Sequence, residues 1–365
     1  MKRTFISVIT LALLLVLFSS WGYRGHRIIS ESSSKSFNAE MLDFHSWVAF
    51  ITDHASDADY RKGDDPTEAY KHYIDIDMFP DFETYGTIEQ NYTEALNSYG
   101  QSFLKDTGIL PWATEATFDS LRDCLARMDI NKAKIFAADL GHYVADGHMP
   151  LHITKNYNGQ LSGNYGIHYR YESTMINQFY HQISYSGETI SEIQDVNQYI
   201  FDYLYLNYTY KDSVFASDNY AKSVNTNYGS QAYKTALWDH SKNYTILLFK
   251  NASKALAELI YTAWIQAGKP DISSYNVPFV SNLKISEPIP NPTNNSCHIK
   301  LENVKAQLIS VQLYNMKGNR VYSSAETPTS NTHTITINKN KLQAGTYFIK
   351  ILVENKTYSK KIIFI

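Results

Sequence analysis

The stretch NKAKIFAADLGHYVADGHMPLH, residues 131–152, combines a helical pattern with a high density of titratable side chains. Its apolar residues recur at spacings of three and four, which predicts an amphipathic helix. His142 and Asp146 are four residues apart, so a helix projects them from one face. Pro150 is expected to end that helix, which lets His152 return towards the same point. Two imidazoles and a carboxylate that converge in this way are good zinc ligands.

The segment GIHYRYEST, residues 166–174, repeats the arrangement, since His168 and Glu172 are also four residues apart. One histidine–acid pair at this spacing often makes only a surface hydrogen bond, but two pairs joined by a polar loop indicate a metal site more strongly. His72 stands in an apolar run, where an unpaired imidazole is costly to bury. It is either a core histidine with a hydrogen-bond partner or a further ligand. Most acids of DHASDADYRK, residues 53–62, are interpreted as a solvated loop.

The length of 365 residues allows two domains, and the 44% of hydrophobic and 19% of charged residues are ordinary for a globular protein. The net charge of −3 predicts no overall electrostatic attraction to nucleic acid or to an anionic membrane. The helical pattern extends from about Trp21 to Gly268. Asp239 and Ser241 are expected to cap the last long helix, and Gly268 to Pro270 to end it.

The first twenty residues have the pattern of a secretory signal. Lys2 and Arg3 form its positive end, and the apolar run over residues 6–18 is too short to span a membrane comfortably. We therefore predict export of the chain. Cys124 and Cys297 lie far apart, in different predicted domains, so no disulfide framework is expected.

The hydrophobic pattern of the sequence changes after Pro270. Short runs of alternating hydrophobicity follow, separated by turn residues such as Lys317 to Asn319, and they predict a small β-sandwich. The chain is therefore predicted to contain a signal peptide over residues 1–20, an all-α catalytic domain over 21–275, a linker over 276–290 and an all-β sandwich domain over 291–365.

Three motifs in this last region occur in order at the end of the chain: Pro290-Asn291-Pro292, LYNMKGNRV at 313–321 and LQAGTY at 342–347. Together with the lysine-rich final strand they resemble the C-terminal sorting domain of the type IX secretion system of Bacteroidetes. The resemblance implies the secretion machinery as a partner, and a secreted or cell-surface location in a Gram-negative bacterium. A generic carbohydrate-binding or adhesion sandwich is the alternative.

The helical region carries its own ordered set of motifs, beginning with WGYRGH at residues 21–26 directly after the predicted signal. His-x-x-x-Asp with Pro-Leu-His and then His-x-x-x-Glu follow. This set resembles the zinc-dependent phospholipase C and S1/P1 nuclease superfamily over about residues 21–265. The resemblance implies that signal removal frees the α-amino nitrogen of Trp21, which then binds a metal ion together with its own carbonyl oxygen.

The resemblance further implies three zinc ions. Asp146 bridges two of them, and the acid that completes the second site is expected to be Asp59, with Asp57 as the alternative. The resemblance implies catalytic roles for Asp59 and Asp146. His148 has no place in the pattern and is expected to be supporting or exposed. The implied metal ligands are Trp21, His26, Asp59, His72, His142, Asp146, His152, His168 and Glu172.

The implied activity is phosphodiester hydrolysis, in which a hydroxide that bridges two zinc ions is the nucleophile. Glu172, preceded by Tyr171, resembles the phospholipase C branch, whereas the nuclease branch has aspartate after tryptophan. The implied substrate is thus a phospholipid, with single-stranded nucleic acid as the alternative, and no stable protein partner is implied. A zinc-binding surface protein without activity is the third alternative. Arg24 is expected either to contact phosphate or to form a structural salt bridge.

Overall fold

The computed structural model describes residues 21–273, 283–304, 309–328, 330–353 and 356–365. Helices occupy the first of these ranges and strands the others, which confirms the predicted all-α domain followed by an all-β domain. The predicted signal peptide, residues 1–20, lies outside the described residues. Among the helices of the described residues, none combines the length and the apolar character that a membrane crossing requires.

The α-helices of the described residues are α1 (Gly22–Ser33), α2 (Val48–Asp53), α3 (Asp57–Arg61), α4 (Pro80–Tyr85), α5 (Tyr92–Tyr99), α6 (Gln101–Thr107), α7 (Leu110–Ala126), α8 (Ile130–Asp146), α9 (Ile167–Tyr169), α10 (Ile176–Phe179), α11 (Val196–Tyr208), α12 (Lys211–Val224) and α13 (Gln231–Gln266). Short 3₁₀ turns lie at Ser34–Ser36, Ala39–Trp47, Ala69–Lys71, Ile76–Met78, Pro150–His152 and Tyr180–Gln182, and a π-helical turn covers Arg170–Met175.

Helix α8 begins where Asp129 caps it, since the carboxylate accepts a hydrogen bond of 3.3 Å from the backbone N–H of Lys132. The helix ends at Asp146, and Pro150 then begins the short turn that carries the next histidine. Gly141 lies inside α8, where a Cβ atom would stand 3.0 Å from Leu256 and 3.1 Å from Ser30. The missing side chain lets α1 and α13 pack closely against α8 beside the candidate ligands.

Helix α13 is 36 residues long and begins at Gln231, where the Ser230 hydroxyl accepts a hydrogen bond of 3.2 Å from the N–H of Tyr233. The predicted start near Asp239 and Ser241 is therefore wrong. Ser241 instead donates to the carbonyl of Leu237 at 2.7 Å, the bond that a serine makes inside a helix. The predicted end is close, because Gly268 adopts a left-handed φ of 86° just after the helix.

The two halves of α13 belong to different hydrophobic cores. Residues of its first half, among them Trp238 and Leu248, pack with Trp21. Residues of its second half, among them Leu256 and Leu259, pack in another core with residues of α7 and α8. The helix therefore forms a wall that both cores share.

The sheet domain contains β1 (Lys284–Ile285), β2 (Ser296–Glu302), β3 (Ile309–Asn315), β4 (Arg320–Glu326), β5 (Thr332–Asn338), β6 (Gly345–Val353) and β7 (Lys356–Phe364). They form two antiparallel sheets, ordered β1-β2-β5 and β4-β3-β6-β7. Inward side chains alternate along the strands, as in β2, where Cys297, Ile299 and Leu301 enter a core shared by both sheets. Strand β1 lies within the segment predicted as a linker. Cys124 is buried in a core of the helical domain, whereas Cys297 is buried in the core of the sheet domain. Both cysteines are free.

Candidate metal centre

Three groups of side chains in the helical domain place their ligand atoms within 4.8 Å of one another. They are His26 with His142 and Asp146, Asp59 with His72 and His142, and His152 with His168 and Glu172. The histidines of all three groups are buried, as are Asp146 and Glu172. The structure therefore brings together eight of the nine side chains that the sequence singled out as candidate ligands.

Asp146, at the end of α8, lies between the first two groups. Its Oδ2 is 3.0 Å from Nδ1 of His72 and 3.3 Å from Nε2 of His142, and its Oδ1 is 3.7 Å from Nε2 of His26. The side chain is fully buried. Its two oxygens therefore face different histidines, which is the arrangement that a bridging carboxylate needs.

Asp59 and Asp57, the two alternatives left by the sequence, lie in different surroundings. Asp59 Oδ1 stands 3.7 Å from both His72 Nδ1 and His142 Nε2, and accepts a hydrogen bond of 2.8 Å from Lys62. Asp57 instead accepts a short hydrogen bond from His54. Only Asp59 of this pair lies with the candidate ligands in the described part of the chain.

The third group forms around the 3₁₀ turn that follows Pro150. His152 and His168 approach with their Nε2 atoms 3.2 Å apart, and Glu172 Oε2 lies 3.1 Å from His168 Nε2. The other ring nitrogens of both histidines are held by backbone carbonyls, of His72 at 2.7 Å and of Tyr157 at 3.0 Å. These bonds direct the two Nε2 atoms towards the carboxylate.

His142 orients itself in the same way, since its Nδ1 donates to the carbonyl of Ala55 at 2.8 Å. The ring nitrogen that faces the cluster is Nε2 alone. One imidazole nitrogen binds one metal ion, so His142 completes only one of the two groups that contain it. The other group needs donors beyond His26 and Asp146.

The carboxylates dominate the electrostatics of the cluster. Burial opposes protonation of His142, but Asp146 and Asp59 outweigh it and raise the pKa of His142 to about 9. Burial would raise the pKa of Asp59, yet Lys62 and His142 lower it to about 2. The raised pKa of His142 shows a negative potential at its ring, which favours a cation there, and the lowered pKa of Asp59 keeps that carboxylate ionised as a donor.

Glu68 is a functional candidate that the sequence analysis missed. It is buried, its Oε1 lies 3.3 Å from Nε2 of His72, and the same oxygen accepts a hydrogen bond of 2.5 Å from Tyr143. Lys71 pairs with Oε2, and Arg61 contacts both oxygens of the carboxylate. The signal was present, because Glu68 and His72 are four residues apart, the same spacing as the two pairs that were recognised.

A cavity of about 340 Å³ opens beside the cluster. His72, His152 and His168 form part of its wall, and Lys62 and Asp75 also line it. Three of the candidate ligands are thus reached from one cavity that has both a cationic and an acidic side chain in its wall.

The remaining predicted residues lie as follows. Trp21 is buried just before α1, with its ring 4.6 Å from that of Phe249. His148 is buried against Tyr203 at a ring distance of 4.5 Å and donates to the carbonyl of Val144, so the alternative that it is exposed is wrong. Arg24 donates to Asn177 at 3.2 Å and lies over the Tyr180 ring, so its contacts in the structure are structural ones.

Residues 289–365 match the family described as the secretion system C-terminal sorting domain. Among solved structures, the chain is similar to the alpha toxin of Clostridium absonum at 13% identity and a TM-score of 0.44, over 95% of this chain and 96% of that chain. It is also similar to the alpha-toxin of an avian strain of Clostridium perfringens at 12% identity and a TM-score of 0.44, over 95% and 98% of the two chains. No curated protein matches the chain.

The match covers strands β2 to β7 and the three motifs that indicated sorting, and it replaces the alternative of a generic adhesion sandwich. It also makes the chain a secreted or cell-surface protein. The C-terminal domain of this protein therefore belongs to the family of type IX secretion sorting domains.

Proposed function

We propose that the helical domain is a zinc-dependent hydrolase of phosphoric esters, of the phospholipase C type, with three zinc ions. The observation that carries the proposal is that three donor groups lie next to one another and that histidines of two of them line one cavity. A structural zinc site needs a single closed set of four ligands. Three neighbouring groups, two of which share His142 and two of which adjoin a cavity, favour a reactive centre instead.

The donors suit zinc. They are imidazole nitrogens and carboxylate oxygens, which zinc accepts. Asp146 Oδ1 and Glu172 Oε2 are buried, and neither accepts a hydrogen bond from the described residues. Because buried polar atoms normally have a partner, these two oxygens support ligand roles. The proposed ligands are Trp21, His26, Asp59, His72, His142, Asp146, His152, His168 and Glu172.

Because His142 can bind only one metal ion through Nε2, the amino terminus is proposed as a source of metal ligands. If Nε2 of His142 completes the group of Asp59 and His72, the group of His26 and Asp146 keeps two protein donors. Trp21 stands five residues before His26, at the start of α1. Its carbonyl oxygen, together with the α-amino nitrogen that signal removal frees, would supply the missing donors.

Zinc, when bound, lowers the pKa of a coordinated water to about 7 and neutralises charge on phosphate oxygens. The chain supplies the remaining functions. Asp59 and Asp146 stay ionised at neutral pH, because neighbouring cations lower the pKa of each. Lys62 holds Asp59 Oδ1 at 2.8 Å and lines the cavity, so its ammonium group is placed to contact a phosphate oxygen.

The test is an assay of the mature chain, beginning at Trp21, on phosphatidylcholine vesicles and on single-stranded DNA, with elemental analysis of the same sample. We expect about three zinc ions per chain and hydrolysis of the phospholipid that a chelator abolishes and added zinc restores. Hydrolysis of DNA alone would favour the nuclease alternative. Bound zinc with neither activity would favour the surface-protein alternative and overturn the proposal.

A further inference from the structure

The segment of residues 53–59, which runs from the last residue of α2 into α3, is held from two sides. On its inner side, Ala55 accepts the hydrogen bond from His142, and Asp59 lies among the candidate ligands. Its outer side contacts the sheet domain through Arg320, the first residue of β4. The side chain of Arg320 is only 1% exposed, so it is buried between the two domains.

The helical domain surrounds this guanidinium group with two aromatic rings and two acidic residues, a set that we call the arginine cradle: Tyr23, Asp53, Asp57 and Tyr60. Arg320 donates a short hydrogen bond to the carbonyl of Asp53, and its Nη2 is 3.5 Å from Asp57 Oδ1. The guanidinium carbon lies 4.8 Å and 5.2 Å from the ring centroids of Tyr60 and Tyr23. These distances are those of cation–π contacts.

Two further side chains of the same sheet reach the same point. Gln312 of β3 donates to the carbonyl of Asp53 at 3.2 Å, and Lys350 of β6 lies 3.2 Å from its carboxylate. Asp53 is the last residue of α2 and is also paired with Arg27 at 2.8 Å. Three adjacent strands thus converge on the residue at which the segment begins.

We propose that the sorting domain docks on the helical domain through Arg320 and thereby braces the segment of residues 53–59, which positions His142 and Asp59 in the candidate metal centre. The inference rests on the proposed function only in that it treats these two residues as ligands. The cavity wall contains no sheet-domain residue among those described, so the domain supports the back of the centre and leaves its opening free. The domain then has a structural part in the enzyme besides its part in sorting.

The experiment uses the full mature chain loaded with zinc and compares the wild type with Arg320→Ala, Arg320→Lys and Asp57→Asn. Lys300→Ala is the matched control, because Lys300 is an exposed cation of the same domain whose ion partner is Glu302. Two quantities are measured: amide hydrogen exchange over residues 53–59, and the rate of zinc transfer to a chelator.

Loss of Arg320 is expected to speed exchange in the segment about tenfold or more, because a local opening then no longer breaks a buried charge contact. Zinc transfer should accelerate with it. Arg320→Lys should restore little, since lysine lacks the planar fork, and Lys300→Ala should match the wild type. Unchanged exchange over strands β2 and β5 shows that the sheet domain of each variant is folded.

Exchange at the wild-type rate in both Arg320→Ala and Asp57→Asn would overturn the docking. Faster exchange with unchanged zinc transfer would overturn the bracing of the centre. A wild-type chain that binds no zinc would instead refute the proposed function, while the exchange rates would still decide the docking. The two failures are therefore distinguishable.

Discussion

His26 and His142 lie with their imidazole rings stacked, the centroids 4.0 Å apart and the planes within 3° of parallel. Two charged rings in this position would repel each other. Burial and the neighbouring His142 lower the pKa of His26 to about 3, so His26 is neutral at physiological pH. A neutral imidazole is the form that binds a metal ion. The pair also joins α1 to α8, so the amino-terminal helix is fixed to the helix that carries Asp146.

The first prediction concerns three residues near the end of α8. His142→Ala and Asp146→Asn are expected to reduce phosphodiester hydrolysis by about 10³-fold or more, because His142 completes one proposed metal site and Asp146 is proposed to bridge two. His148→Ala should keep its zinc and lower the free energy of unfolding by about 1–3 kcal/mol, since it leaves a cavity against Tyr203. Zinc analysis, kinetics and thermal denaturation check this. Loss of zinc in His148→Ala would show that the ligands are assigned in the wrong register.

The second prediction is that Glu68 is a positioning residue for His72. Glu68→Gln removes the anion 3.3 Å from His72 Nε2 and is expected to weaken zinc binding about 10–100-fold. A competition titration with a chromogenic chelator measures this. Tyr143→Phe is the matched control, because it removes a hydrogen-bond partner of Glu68 and leaves the carboxylate. A lower melting temperature with unchanged zinc affinity would contradict the positioning role.

The third prediction concerns the amino terminus. A chain with methionine before Trp21 has an amide where the mature chain has an amine, and an amide is a poor zinc ligand. We expect about one zinc ion fewer per chain and a steep loss of activity, with the fold retained. The two chains are compared by elemental analysis, circular dichroism and kinetics. Equal zinc content and equal rates would show that Trp21 is only a packing residue.

The fourth prediction is a pH dependence. Burial, with Asp77 nearby, raises the pKa of Asp75 to about 7. An unfolded aspartate titrates near 3.9, so between these values the native chain holds a proton that the unfolded chain has lost, and stability falls as the pH rises. In zinc-depleted protein, the melting temperature of Asp75→Asn should equal that of the wild type at about pH 4. It should exceed that of the wild type at about pH 8. A difference that is constant with pH would contradict the raised pKa.

The sequence predicted what depends on local spacing. His142 and Asp146, and then His168 and Glu172, share a helical face because of their spacing of four, and the structure places each pair together. The same reasoning could have found Glu68, but the segment between residue 62 and His72 was not considered in the search for ligands. The alternation of apolar residues in the last quarter of the chain was sufficient to predict the two sheets.

Features that depend on tertiary packing were not accessible in this way. Asp239 and Ser241 have the composition of a helix cap, but burial of the residues around them continues α13 through both. The sequence around His148 does not show whether its ring is buried or exposed. The contact of Arg320 with Asp57 joins residues 263 positions apart through two separately folded domains, and no periodicity encodes such a contact.

The shared wall formed by α13 has a consequence for the cooperativity of unfolding. At a rise of 1.5 Å per residue the helix is about 54 Å long, and neither core can melt without exposing one half of it. Calorimetry of the helical domain is therefore expected to show one transition whose van't Hoff and calorimetric enthalpies agree. Leu259→Ala, in the second core, should lower the temperature at which Trp238, in the first, loses its native fluorescence. Damage to either core then spreads to the whole helical domain.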